Sequence, residues 1–502
     1  MAKLDEKRRD KILNGNMWTV IISICAPLFV YNLFNSFYNL VDTLFANQIS
    51  TDSVSSVAAL GQVKHLLTAF GAGLAAGGGI IVARLFGAGD FEAARKNANT
   101  MFTLSLVVSV GIVIICIPLA YPICNMSGIS SAQAKAATGY FSIQMLEVMV
   151  VALNSVFISL QKAKGNTKSI FYLNLLTMGV KLIFNVLFIY VFKVDKIIWI
   201  AIATLISQIV LFFILASIVM NKNNIFRIRL KDFNLKWIYV RHILKLSIPI
   251  FIGKFVFSFG KVAVNSIFGE QYKNILLSQI DTSNPVLVQE AEASAGLVVG
   301  ALAVSNNLNG IATSPINSFE EGESTIVSQN LGNRNLKRAV EAFFKTFIIS
   351  TILGIVGWIL IRFVFQSALI GLFKGDYANA KQAEEFMMYV KQIHRLDSLS
   401  IPSLAINSAA LGVLYGFGKT KLTAFINIAR AFIFRIPVLL ICLFCFPELG
   451  VECAGVSMGI SNICIALMSL ICLVVFLIQI KKKGYDGMYL DNRNEQPDTL
   501  NA

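Results

Sequence analysis

Residues Gly77–Arg95 read GGGIIVARLFGAGDFEAAR, and Gly322–Val340 read GESTIVSQNLGNRNLKRAV. At a constant offset they pair Ile81-Val82 with Ile326-Val327, Gly87 with Gly332 and Ala94 with Ala339. A second pair follows, KGNTKSIFYLNL (Lys164–Leu175) against FGKTKLTAFINI (Phe417–Ile428), which aligns Asn174 with Asn427. Asn154-Ser155 then falls on Asn407-Ser408, and Pro27 on Pro249. The chain is an internal repeat whose copies meet at the polar stretch Asn221–Arg241, NKNNIFRIRLKDFNLKWIYVR.

Composition says what each copy is made of. The 502 residues are 56% hydrophobic and 14% charged, with a mean hydropathy of +0.69. A soluble domain carries about 25% charged residues, so this chain has too little polar surface to coat itself in water. Segments long enough to cross about 30 Å of hydrocarbon begin near Met17, Val57, Asn99, Gly139, Ser169, Ile197, Ile243, Ala295, Ala342, Phe386, Leu422 and Cys453. Short alternating strands of a β-barrel are not seen. The expected fold class is an all-α polytopic membrane protein with twelve transmembrane helices in two six-helix pseudo-symmetric bundles. Six is even, so the copies are parallel repeats about an axis along the membrane normal. The bundles are predicted at 17–220 and 243–480, with a linker at 221–242 and tails at 1–16 and 481–502. The charged N-terminal tail precedes an apolar segment with no small-residue cleavage site, which reads as an uncleaved first helix.

Lys and Arg set the orientation. Lys3, Lys7, Arg8, Arg9 and Lys11, then Arg95 and Lys96, Lys162, Lys164 and Lys168, the linker's cations, Arg334, Lys337 and Arg338, Lys419 and Lys421, and Lys481–Lys483 all fall on one side. Lys193 and Lys196 fall on the other. Both termini are thus expected to be cytoplasmic. The formal charge of +15 is dispersed over short loops, which suits anionic lipid headgroups and not nucleic acid. The eight cysteines lie in or at the ends of apolar segments, and no second pair or His cluster joins Cys442 and Cys445 to make a metal or redox site.

The ordered set Pro27…FYNLVDTLF, GAGLAAGGGIIVARLFGAGDFEAAR and KAKGNTKSIFYLNLLTMGVKLIFNVLFIY, repeated more loosely in the second half, resembles the multidrug and toxic compound extrusion (MATE) family over roughly residues 15 to 480. That family's superfamily also contains flippases for lipid-linked oligosaccharides. The resemblance implies a non-enzymatic efflux antiporter of a bacterial plasma membrane. It would act as a monomer with no cofactor, exporting small organic cations against protons or sodium.

Two glycine-rich stretches carry no nucleotide. GAGLAAG (Gly71–Gly77) lacks the strand and aqueous crevice of a dinucleotide fingerprint, and small residues inside a span let helices pack closely. GVLYGFGKT departs from P-loop spacing, so no ATP site is visible.

Carboxylates are the candidate functional groups, because a carboxylate in hydrocarbon costs several kcal/mol unless paired, protonated or hydrated. In NSFYNLVDTLFAN (Asn35–Asn47), Tyr38 and Asp42 stand one turn apart, as do Asn35 and Asn39, making a polar stripe on the first helix. The resemblance implies that Asp42 is the site of the driving cation. It also expects an Asn and an Asp one turn apart on the fifth span, where this chain has Lys181 and Asn185. Lys181 would then pair with Asp42 as a resident cation, with Asn185 and Asn154 nearby, unless it reaches a headgroup or a static salt bridge. Gln144, Glu147 and Asp397 are read with Tyr38 and Asn39 as cavity residues. Asp397 and Glu147 are alternatively paired to Arg395, Arg430 or Arg435. The family's second-half Glu falls at Phe257, flanked by Lys254 and Lys261, which speaks against a sodium site there. Glu320, Glu321 and Glu323 read as an inner vestibule or a solvated face. The flippase alternative needs a cationic cavity, for which Lys181, Lys254, Lys261, Arg430 and Arg435 are candidates. The segment from Glu270 to Ser294 reads as a long acidic loop, and the tail beyond Lys483 as disordered.

Overall fold

The structure is a computed structural model. It describes the backbone of residues 2–47, 51–126, 131–194, 197–229, 233, 235–281, 283–371 and 380–493, without the side chains of 2, 38–47, 51–59, 62, 126, 131–133, 136, 380–381 and 483–493. The first half comprises α1 (Ala2–Asn14), α2 (Met17–Asn47), α3 (Thr51–Ala88), α4 (Phe91–Cys116), α5 (Ala120–Met126), α6 (Ser131–Ala163), α7 (Thr167–Val186) and α8 (Ile198–Met220). The second comprises α9 (Trp237–Ser278), α10 (Pro285–Gly332), α11 (Leu336–Ile359), α12 (Gln366–Gly371), α13 (Ala380–Asp397), α14 (Ile401–Gly416), α15 (Thr420–Ala429), α16 (Ile436–Cys445) and α17 (Glu452–Arg493). Wide π turns interrupt three of these rods, at Leu187–Val191, Leu360–Phe365 and Arg430–Arg435. Among the described residues, twelve helical segments are long and apolar enough to cross a membrane. The large exposed apolar side chains, such as Ile114, Phe213, Phe363 and Ile471, suit acyl chains.

The opening sequence match reappears as geometry. Gly89 takes φ +83° and its repeat equivalent Arg334 takes φ +58°. One residue on, Asp90 and Asn335 cap α4 and α11 by accepting from the amides of Ala93 and Arg338. Gly165 and Gly418, also equivalent, have φ +73° and +75°.

The halves meet through the same repeated residues. A Cβ on Gly87 would lie 2.5 Å from Gln329 Cα, and one on Gly332 would lie 2.9 Å from the carbonyl carbon of Arg84. Since Arg84 and Gln329 are themselves equivalent, these two contacts are one contact seen twice. Arg84 donates to the Gly416 carbonyl at 3.1 Å, while Gln329 donates to that of Ala163 at 2.7 Å. Gly77 packs on Ser247 as Gly322 packs on Cys25, and Cys25 and Ser247 each stand two residues before their helix's proline. An approximate two-fold thus relates the halves, and its close contacts lie at the end of the bundle carrying the N-terminus, here called the basal face.

The structure gives the N-terminal tail a place and changes two expectations. The N-terminal tail is helical and docked: Asp5, Ile12 and Leu13 are buried, and Asp5 pairs with buried Lys164 at 3.1 Å. Arg9 donates to the Gly87 carbonyl at 2.7 Å, and Arg338 donates to the carbonyls of Ile12 and Gly15, so α1 touches both halves. The predicted long loop after Glu270 shrinks to residues 279–284. There α9 continues to Ser278, and Asn284 caps α10 with Pro285 at its first position. Along this extension Lys273 and Glu292 pair across the hairpin at 2.8 Å. Finally, α17 continues to Arg493, where the sequence suggests disorder from Lys483.

Candidate functional site

A cavity of about 290 Å³ sits where the halves join. Its wall includes Tyr31 and Asn32 of α2, Lys162 of α6, Lys254 of α9, Glu320 and Glu321 of α10, and Tyr415 of α14. Proline-containing α2 and glycine-rich α3 approach α9 and α10 closely on the side of the cavity away from the basal face. Asn32 donates to Ser318 at 2.8 Å, and Phe70 stacks on Phe251 with ring centroids 3.8 Å apart. Lys162 and Glu321 form an ion pair of 2.5 Å between the two halves.

The cluster at Glu320–Glu323 is therefore not a solvated face. Glu321 is exposed and paired, and Glu320 faces the cavity. Glu323 is fully buried beside Gly412, and neither of its carboxyl oxygens finds a hydrogen-bond partner among the described residues.

Asp42, Tyr38 and Asn39 lie on α2, but their side chains are outside the described residues, so their predicted contacts lie outside them too. The helix that would bring Lys181 and Asn185 to them, α7, does pack on α2, and Thr167 donates to the Ser23 carbonyl at 3.3 Å. Asn185 is buried and Lys181 half-buried. Asn154 donates to the carbonyl and side-chain oxygens of Gln208 at 3.0 and 3.1 Å, which ties it to α8. Gln144 donates to the Tyr140 hydroxyl at 2.7 Å.

Glu147 is not paired with an arginine. It accepts from Lys64 at 2.6 and 2.7 Å, a partner that sequence reading missed because Lys64 lies 83 residues away on α3. Nor does Asp397 pair with Arg395, which instead meets Glu452 at 3.1 Å. Buried Asp397 accepts from Ser305 at 3.4 Å. Arg430 and Arg435, the other predicted partners, both donate to Asn462 Oδ1. Phe257 sits among cations, with Lys261 Nζ at 4.9 Å and Arg430 Cζ at 4.5 Å from its ring centroid.

A family profile described as MatE matches residues 27–187 and 295–441. The chain is similar to a probable multidrug resistance protein NorM of Thermotoga maritima, at 23% identity over 87% of this chain and 88% of that one. It is also similar to the multidrug export protein MepA of Staphylococcus haemolyticus, at 22% identity over 54% of this chain and 59% of that one. A crystal structure of MATE in complex with MaL6 superposes with a TM-score of 0.83, at 18% identity over 94% of this chain and 99% of that one.

Proposed function

Because the chain belongs to the MatE family, we propose that it is a secondary carrier that exports small organic compounds, mainly cationic, by alternating access, with protons as the driving ion. The observation that carries this reading is the cavity at the junction of the halves, with two tyrosines and Glu320 in its wall. A carrier needs a compartment that closes on one side before opening on the other, and the two-fold basal contacts provide one such closure. The basal face is the cytoplasmic one on this reading, in keeping with its lysines and arginines. A monomer suffices, since each chain holds both halves.

Asp42 is the coupling residue in this proposal. Supporting it are its place as a carboxylate in an apolar helix and the packing of that helix on α7, which carries Lys181. A proton entering would neutralise Asp42 and release the ammonium opposite it, so occupancy alternates with conformation. The test is flux of a fluorescent organic cation from proteoliposomes, with proton and sodium gradients imposed separately. Flux should follow the proton gradient and lose its pH dependence in Asp42→Asn. Wild-type rate and pH dependence in that variant would refute the coupling role, and absence of flux under both gradients would refute cation export.

A further inference from the structure

Cation export makes no use of the cations gathered in the second half. Arg430 and Arg435 stand five residues apart, which in an α-helix would place them about 140° apart around the axis. The π turn Arg430–Arg435 widens the helix and brings both guanidiniums to one acceptor. Arg430 donates to Asn462 Oδ1 at 3.0 and 2.7 Å, and Arg435 donates to the same atom at 2.9 Å. The amide nitrogen of Asn462 is occupied with Ser400 at 2.8 Å, and Arg435 Nε with Ser461 at 3.1 Å. Each guanidinium keeps N–H groups beyond these bonds, since it has five to give.

Lys261 completes the group from α9. It shares the Phe257 ring with both arginines, and Arg435 Cζ is 5.7 Å from the centroid. Although mid-way along the 42-residue α9, Lys261 is exposed, and among the described residues it has no hydrogen bond or ion pair. It lies within electrostatic reach of His65 on α3 of the first half as well as of Arg430, Arg435 and Asp397, so it stands between the halves. The charged groups facing this cluster are Asp397 on α13 and, near Arg430, Glu320 on α10, which itself lies by Lys254. Three cations against Asp397 leave an excess of positive charge at mid-span, a costly arrangement without a counter-charge. Guanidinium forks, an ammonium and an aromatic ring together are the chemistry that recognises an oxyanion on an organic molecule.

We propose that Lys261, Arg430 and Arg435 form a binding site for the carboxylate or phosphate group of an organic solute, on the second-half side of the junction between the halves. The site requires only this cluster, so it extends the cargo beyond cations and stands whether or not protons drive the cycle.

Binding by the purified full-length protein in phosphatidylcholine nanodiscs tests it, read as anisotropy of fluorescein, an anion, and of rhodamine 6G, a cation on a similar ring system. Lys261→Gln removes a charge that, among the described residues, no hydrogen bond or ion pair uses. It should weaken fluorescein binding by about 10- to 100-fold, the loss of one charge-assisted contact, and leave rhodamine 6G unchanged. Asp397→Asn should act in the opposite direction and tighten fluorescein, a sign that general damage to the fold would not produce. Fluorescein affinity unchanged by Lys261→Gln, or no saturable binding to the wild type, would overturn the site. Displacement of fluorescein by benzoate or phenyl phosphate would assign it to soluble anions, and displacement only by phosphatidate in the disc to a lipid phosphate. Displacement by none of these would overturn it. Loss of cation flux in the vesicle assay would leave all these outcomes readable.

Discussion

Gly87→Ala should open the basal face, and Cys25 can report it. A Cβ at position 87 would stand 2.5 Å from Gln329 Cα, whereas carbon atoms rest about 3.5–4.0 Å apart. The obstacle is backbone, so α3 and α10 must separate by about 1 Å. Overpacking of this kind costs about 1–3 kcal/mol, and any state with the halves parted at that end escapes it. At about 1.4 kcal/mol per factor of ten, the parted population rises by roughly 5- to 150-fold. Cys25 is fully buried beneath Gly322 in the crossing of α2 and α10. Its alkylation by maleimide, resolved from the other cysteines by peptide mass spectrometry, should accelerate by the same factor. Gly332→Ala should do likewise, since its Cβ would lie 2.9 Å from Ala88 N and from the Arg84 carbonyl carbon. Unchanged Cys25 reactivity in a monodisperse Gly87→Ala protein, or acceleration by only one of the two variants, would refute the paired-contact argument.

Lys64→Met should lower stability by about 3–5 kcal/mol, because it strands buried Glu147. Melting in detergent should recover in Lys64→Met/Glu147→Met, and no recovery would mean the pair is not the cause. Glu323→Gln keeps the shape of a group with no hydrogen-bond partner among the described residues, so its melting temperature should not fall. A fall of several degrees would reveal a partner that needs the carboxylate. Burial lowers the pKa of Lys164 and Asp5 raises it. In Asp5→Ala the folded-state pKa falls further below the unfolded value of about 10.4, and the folded state then binds fewer protons than the unfolded one across that interval. The destabilisation should therefore shrink between pH 7 and pH 10, and an equal penalty at both would exclude Lys164 as its source.

The repeat was legible because its constraints are local and backbone-borne. Gly165 and Gly418 need positive φ, and Gly87 and Gly332 need the absence of a Cβ, so each leaves a glycine at matching positions. Pairings between helices left no such mark. Lys64 and Glu147 are ordinary residues 83 positions apart, and only the packing of α3 on α6 joins them. Arg430 and Arg435 were visible as cations, but a spacing of five argues against a shared face until the helix widens. The docked N-terminus was hidden for another reason: its charges suit water, and burial of Asp5 depends on Lys164, a loop residue whose place is set by tertiary structure.

That N-terminal helix also constrains how the protein is made. Arg338, which holds the carbonyls of Ile12 and Gly15, is 326 residues downstream of Ile12. The residues of α1 cannot find their final seat until the ninth span, which carries Arg338, is being synthesised. Until then α1 can hold only to its own half, through Arg9 and Asp5. Its complete docking therefore marks the moment at which the two halves have become one molecule.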